Sequence, residues 1–373
     1  MPAAFFVFII IAFKFEHRKD YIYPASVFLM FLLLALVTTL FYGESSQVED
    51  LFYLVHLFLA FNAVYFIIKW KLFSERFLLY FFSAIVALLA LSAALQILGI
   101  LGIIPLIWAP EGRPEGFDKL VTGPFANPND LAVVELMLFC YVYWLADKLN
   151  RFPLKLFLIA CTAFVILVTL SRASIVLFAV YFILLSLYKK QYLKLLALTL
   201  FAIASLAILI TFASSFKVKG DDSGLVQRNL NRIASIDRML SSKSNDSSGI
   251  RVNSYRYFFE NIDEFAEPRG TDNYESFYNR ADFDKNLIRY NPHSFFIEST
   301  LSFGYAGLLL LCLLMAFFTY YSMAVPNSYP VILIVFFIIL SNIPSSIIKM
   351  PALWVPLFLA FYHQRYYVQK NPN

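Results

Sequence analysis

"FLLYFFSAIVALLALSAALQILGILGIIP", residues 77–105, runs for 29 positions without one charged side chain. At about 1.5 Å per residue, a helix of this length crosses the roughly 30 Å hydrocarbon core of a bilayer. The same signature recurs outward along the chain. Apolar runs near 2–13, 21–42, 51–68, 129–146, 154–170, 173–188, 193–214, 295–320, 329–346 and 349–363 bring the candidate spans to eleven. Composition agrees. The 373 residues are 60% hydrophobic and include 41 Phe and 23 Tyr, and the mean hydropathy is +0.69. That is more apolar and aromatic surface than a soluble core can use. The expected fold class is an all-α polytopic membrane protein with about 11 (10–12) transmembrane helices and one long, partly helical extracytoplasmic loop.

The first run starts at Pro2 with no basic lead and no small-residue cleavage site, so it reads as a span and not as a signal peptide. The connecting charges alternate. "KFEHRKD" (14–20), "KWKLFSER" (69–76), "DKLNRFPLK" (147–155), "KKQYLK" (189–194) and "HQRYYVQK" (363–370) are basic, whereas "GESSQVED" (43–50) is not. Basic loops stay in the cytoplasm, which puts the N-terminus outside and the C-terminus inside. Three segments then lie outside: Ile107–Asp130, the turn at Ser171–Arg172, and a long polar loop up to Ser294. The expected organisation is helices 1–8 over residues 1–214, an extracytoplasmic cap over 215–294, and helices 9–11 with a cytoplasmic tail over 295–373.

Between Lys217 and Arg289 the cap holds 12 basic and 12 acidic residues. So balanced a charge excludes a nucleic-acid surface, which would be strongly basic. Two helices are readable in it. In "VQRNLNRIASIDRML" (226–240) apolar residues recur at helical spacing, with Arg228 and Arg232 on another face, as in a helix lying on a membrane surface. "SSGIRVNSYRYFFENIDEF" (247–265) opens with capping serines and carries Arg251 and Arg256. Cys140, Cys161 and Cys312 all fall inside apolar runs, form no metal pattern, and read as small buried side chains.

A few polar residues stand where polarity is costly. Arg172 sits in "TLSRASIVLF" between two spans with almost no loop. Snorkelling to headgroups accounts for it without any function. A guanidinium fork on phosphate would put the same position to chemical use. In "RYNPHSFFIESTLSFGYAGLLLL" (289–311), His293 follows a proline at the mouth of a span and Glu298 lies about one turn inside. The plain reading is a polar helix start, and the functional one is a general base at the membrane surface. Gly304 and Gly307 would let another helix approach. In "TGPFANPNDLAVV" (122–134), Asn127 or Asn129 caps a helix, or binds sugar hydroxyls or a diphosphate near its N-terminus. The chain contains no Walker motif, no HExxH and no GxSxG.

Four stretches in this order resemble the O-antigen polymerase and O-antigen ligase superfamily of bacterial envelope glycan assembly: "GPFANPNDLA" before a span, "SRAS" at a tight outer turn, "SGIRVNSYRYF" in a long outer loop, and "PHSFFIESTLSFGYAG". The resemblance covers roughly residues 120–320. Ser294 stands where the family often has Asn. The resemblance implies a donor glycan joined through diphosphate to undecaprenyl, and an acceptor that is a glycan or a lipid-sugar. Arg172 and Arg251 would stabilise the leaving diphosphate and His293 would be the base. Arg256, Asn127, Asn129 and Glu298 would contact substrate. No metal, nucleotide or other cofactor is expected, because the donor carries its own activation. The implied location is the bacterial cytoplasmic membrane, the loop facing outward, with the bilayer and, for a polymerase, a chain-length regulator as partners. The compact chain without an extra soluble domain favours a polymerase over a ligase. A transporter would show paired broken helices in two related halves. No such pairing is readable.

Overall fold

The computed structural model describes residues 18–42, 45–106, 120–125, 127–169, 171–191, 255–267, 294–324, 329–344 and 346–368. Among these, regular structure is helical throughout and no strand occurs. The helices are α1 Lys19–Tyr42, α2 Ser45–Lys69, α3 Glu75–Ile100, α4 Pro128–Lys148, α5 Phe152–Thr169, α6 Arg172–Tyr188, α7 Phe295–Met323, α8 Tyr329–Leu340 and α9 Pro351–His363. They coincide with nine of the apolar runs. The runs 2–13 and 193–214, and the helix expected over 226–240, lie outside the described residues. Six helices (α1 to α5 and α7) are long and apolar enough to cross a membrane. The others have 17, 12 and 13 residues. At about 1.5 Å per residue, α8 and α9 are each only about 18–20 Å long, well short of a full span.

The shortest helices lie at the centre. α9 packs on α2, α4 and α8, while α7 lies against α1 and α8, and α6 against α8 and α4. Helices α3, α4 and α5 pack on one another. Lipid supplies no hydrophobic drive between helices, so close side-chain packing must hold the bundle. Aromatic rings supply much of that packing here. Trp354 of α9 meets Phe28 at 6.3 Å, Phe295 at 5.3 Å and Phe337 at 4.8 Å between ring centroids. The Tyr181 and Tyr329 hydroxyls both donate to the Cys140 carbonyl, at 3.2 and 2.6 Å, which joins α6 and α8 to α4. Of the thiols, Cys140 is buried, Cys161 half-buried and Cys312 exposed. The expectation of buried cysteines thus fails for Cys312, which lies on an outward face of α7.

One end of the bundle is fastened by charge. Asp147 pairs with Lys155 at 2.7 Å and with Lys189. Glu75 pairs with Lys148 and, at 2.7 Å, with His363. Asp20 pairs with Arg18 at 3.1 Å and Arg365 at 2.7 Å. Each acid joins termini of different helices, so the basic connecting segments of the sequence gather at this one end; α1 to α6 alternate in direction, and α7, whose Tyr321 carbonyl accepts from Arg365, ends at the same end as α6. Three helices running toward it close in the same way. Lys71, Asn150 and Lys190 adopt φ of 51°, 55° and 55°. The next residues bond back to the last turns, Leu72 to Ile67 at 3.0 Å, Arg151 to Ala146 at 2.8 Å and Gln191 to Ser186 at 2.9 Å. Glycine is the usual residue at such a cap. Lysine is less suited to the left-handed conformation but sets a cation at the negative end of the helix dipole.

The two glycines of α7 do something other than admit a neighbouring helix. Gly304 has φ 64° and ψ −163° and breaks α7 into two helical segments. A Cβ on Gly307 would lie 2.4 Å from Phe303 Cβ and 2.8 Å from the Ser299 carbonyl. The space is therefore filled by the folded-back first segment of α7 itself. Only glycine adopts the Gly304 conformation without strain, and forcing another residue into it costs about 1–3 kcal/mol. Gly304→Ala should lower the thermal unfolding midpoint of the detergent-purified protein by several degrees. An unchanged midpoint would mean that the kink does not depend on glycine.

Candidate functional site

Of the polar residues singled out from sequence, Asn127, Asn129 and Glu298 stand in the first turns of their helices, and Arg172 opens its own, at the bundle end away from the ion pairs. Asn127 precedes α4 with an extended backbone (φ −134°, ψ 138°), and its side-chain oxygen accepts from the Asn129 N–H at 2.9 Å. Pro128 occupies the first helical position, where no N–H is needed. The segment before this cap is drawn into the bundle by Gln96 of α3. Its carbonyl oxygen accepts from the Thr122 and Gly123 N–H groups, both at 2.7 Å. Glu135, further down α4, is buried and accepts from the Thr162 hydroxyl of α5 at 3.1 Å.

Arg172 opens α6 behind Ser171, whose hydroxyl lies 2.8 Å from that of Ser174. The α6–α8 register fixes its height. Tyr188 faces Tyr329 and Tyr181 faces Phe336, with ring centroids 6.3 and 5.8 Å apart. Seven residues back along α6 thus correspond to seven forward along α8. Arg172 stands nine residues before Tyr181, and α8 ends at Leu340, four residues after Phe336, where the loop that joins α8 to α9 begins.

That loop, residues 341–350, begins where α8 stops short, so its backbone lies at a depth where each polar group needs a protein partner. The first turn of α7 provides them. Glu298 is 2% exposed. One of its oxygens accepts from the Ser346 hydroxyl and the other from the Ile347 N–H at 2.9 Å. One turn earlier, Ser294 donates to the Asn342 side-chain oxygen at 3.0 Å. From α9, the Trp354 indole donates to the Ile347 carbonyl at 3.2 Å. The Lys349 N–H bonds to the Ser346 hydroxyl at 3.1 Å, so one serine serves both the carboxylate and the turn.

A piece of the long loop also lies here. Residues 255–260 are helical and are followed by a single turn at Ile262–Phe265. Phe258 and Phe265 stack at 5.5 Å and pack on Ile297 and Leu301 of α7. The Tyr305 hydroxyl donates to the Ile262 carbonyl at 2.7 Å. Arg256 on this segment is exposed. His293 and Arg251 lie outside the described residues. Sequence reasoning passed over Gln96, Ser346 and Lys349, because each stands alone in its stretch and its role depends on a contact distant in the chain.

A helical bundle with six helices long and apolar enough to cross a membrane, charged at one end and holding hydrogen-bonded polar loops at the other, defines a multi-pass membrane protein. Residues 157–312 match the family model for O-antigen ligase. The matched stretch contains Arg172, Arg251, Arg256, His293 and Glu298. Asn127, Asn129 and Lys349 lie outside it. No curated protein matches the chain.

The geometry around Glu298 separates two roles for its carboxylate. A residue that holds the loop stabilises the protein without substrate, and one that only touches substrate does not. Glu298→Ala strips Ser346 and Ile347 of their acceptor, at a cost of about 1–3 kcal/mol. The unfolding midpoint of the substrate-free protein should fall by several degrees, with Glu298→Gln in between. Equal midpoints for all three would assign Glu298 to substrate alone.

Proposed function

We propose that this protein is a membrane glycosyltransferase that moves a glycan from an undecaprenyl-diphosphate-linked donor to a glycan acceptor at the outer face of the bacterial cytoplasmic membrane, polymerising O-antigen-type repeat units. The observation that carries this reading is the gathering at one end of the bundle of Asn127, the start of α6 at Arg172, the first turn of α7 and the loop segment bearing Arg256. The family match over 157–312 supports the same class of chemistry.

The reaction follows from charge. The acceptor oxygen attacks the anomeric carbon and forms the new C–O bond. The bond from that carbon to the donor phosphate breaks, and its electron pair leaves with the lipid diphosphate. The hydroxyl proton goes to His293, which precedes the ordered Ser294. Negative charge grows on the leaving phosphate, where Arg172 and Arg251 stabilise it. Arg256 and the Asn127–Asn129 cap contact the donor's sugar and diphosphate. Of the long loop, residues 255–267 pack on the start of α7 beside this site. The second reading, a ligase that transfers finished glycan to a lipid-sugar or protein acceptor, is favoured by the family description itself.

The test is complementation in a strain lacking the gene, with surface polysaccharide resolved on a gel. Arg172→Ala, Arg251→Ala and His293→Ala, at matched expression, should each cut product at least about 100-fold, the scale of a lost general base or charge stabiliser. Single-repeat glycan remaining on the cell anchor identifies a polymerase. Loss of all anchored glycan, with long lipid-linked chains accumulating, identifies a ligase. Parental behaviour in all three variants would overturn the site assignment.

A further inference from the structure

We propose that Glu135 is a proton-binding site inside the membrane-spanning part of the bundle, with Oε2 carrying the proton and the Thr162 hydroxyl as the partner of Oε1. The proposal stands apart from the glycosyltransferase reading, whose mechanism does not use this residue.

Three observations carry it. The first is place. Glu135 lies seven residues past Pro128, about 10 Å along α4, a helix long and apolar enough to cross a membrane. Ionisable side chains at such depth are rare and mark places where charge or protons are handled. The second is burial. Glu135 is 0% exposed, so no part of it is open to solvent or lipid. The third is its set of partners. Oε1 accepts from the Thr162 hydroxyl of α5 at 3.1 Å, and Oε2 has no hydrogen-bond partner among the described residues.

A carboxylate ion with one neutral hydroxyl for a partner is not sustained in such surroundings. No ion pair among the described residues includes Glu135. On α4 itself, Asp130 stands in the first turn and Asp147 and Lys148 at the far end. Of the helices packed on α4, α3 carries Glu75 and Arg76 at its start and α9 carries His363 at its close, both at the charged end of the bundle. Arg172 opens α6, and α8 has no charged side chain. The Tyr181 and Tyr329 hydroxyls of these two helices are committed to the Cys140 carbonyl. From α5 comes one titratable neighbour, Cys161, next to Thr162.

The step is a plain protonation. A lone pair on Oε2 forms the O–H bond, hydronium gives up its proton and leaves as water, and one negative charge disappears from the helix interface. Oε1 is then the carbonyl oxygen that takes the Thr162 hydrogen bond. That bond joins α4, which begins at the Asn127 cap, to α5, which ends at Thr169 just before Arg172. Occupancy of the proton site therefore ties the packing of α4 on α5 to pH.

The experiment uses the full chain purified in detergent. The infrared difference spectrum between the parent and Glu135→Gln at neutral pH should show the C=O stretch of a protonated carboxyl, moving to lower frequency in heavy water. Thr162→Val should move this band to higher frequency, because it removes the hydrogen bond to that C=O. Thermal unfolding adds a pH profile, which packing alone would not move. The folded protein keeps the proton and the unfolded chain releases it, so stability from this position falls as pH rises. From about pH 5 to about pH 8 the parental midpoint should fall, relative to that of Glu135→Gln, by on the order of 2 °C per pH unit. Cys161 is present in both proteins and cancels. If Glu135→Gln does not fold, Glu135→Met serves as the uncharged reference. A parent without the carboxyl band, or with a midpoint that runs parallel to the uncharged variant at every pH, overturns the proposal. A band unmoved in Thr162→Val overturns Thr162 as the partner.

Discussion

One carboxylate decides how the centre of this bundle is built. Two central helices are too short to span a membrane, so the chain that joins them must turn with its backbone exposed to a low-dielectric surrounding. Each unpaired peptide group there would cost several kcal/mol. Glu298 removes the difficulty by accepting from a loop hydroxyl and the Ile347 N–H at once, and Trp354 donates to the carbonyl of the same residue, Ile347. The position of α9, the start of α7 and the polar end of the bundle all follow from that contact.

The same contact explains why the polar loops are ordered. Loops at a membrane surface usually compete with water for their hydrogen bonds. Here the bonds are made to buried side chains of rigid helices: Gln96 for the segment before α4, and Glu298 and Ser294 for the α8–α9 loop. A site assembled this way keeps its shape before any substrate arrives, which is what transition-state stabilisation by fixed charges requires.

Much of the architecture is legible in the sequence, because long apolar runs and alternating basic loops are one-dimensional signals. The Asn127 cap is equally legible, since Asn followed by Pro and Asn at a helix start states its own geometry. Other features are not. The apolar run at 329–346 does not announce that α8 ends at Leu340, although Pro344 disfavours helix at the residue before it. Ser346 and Glu298 are 48 positions apart, and nothing local links them. The Gly304 and Gly307 spacing suits a helix–helix contact and an internal kink alike, and only the backbone angles choose between them.

The central place of α9 also constrains how the protein is made. A helix of 13 residues that carries Pro356 is too short to partition into lipid alone, yet it fills the space between α2 and α4. It also follows the other eight described helices in the chain, so it is synthesised after them. The helices it packs on, α2, α4 and α8, therefore precede in synthesis the helix that packs against them all. The packing of α2, α4 and α8 is therefore complete only once residues 351–363 have been made, and a chain cut before residue 351 lacks the helix that joins them.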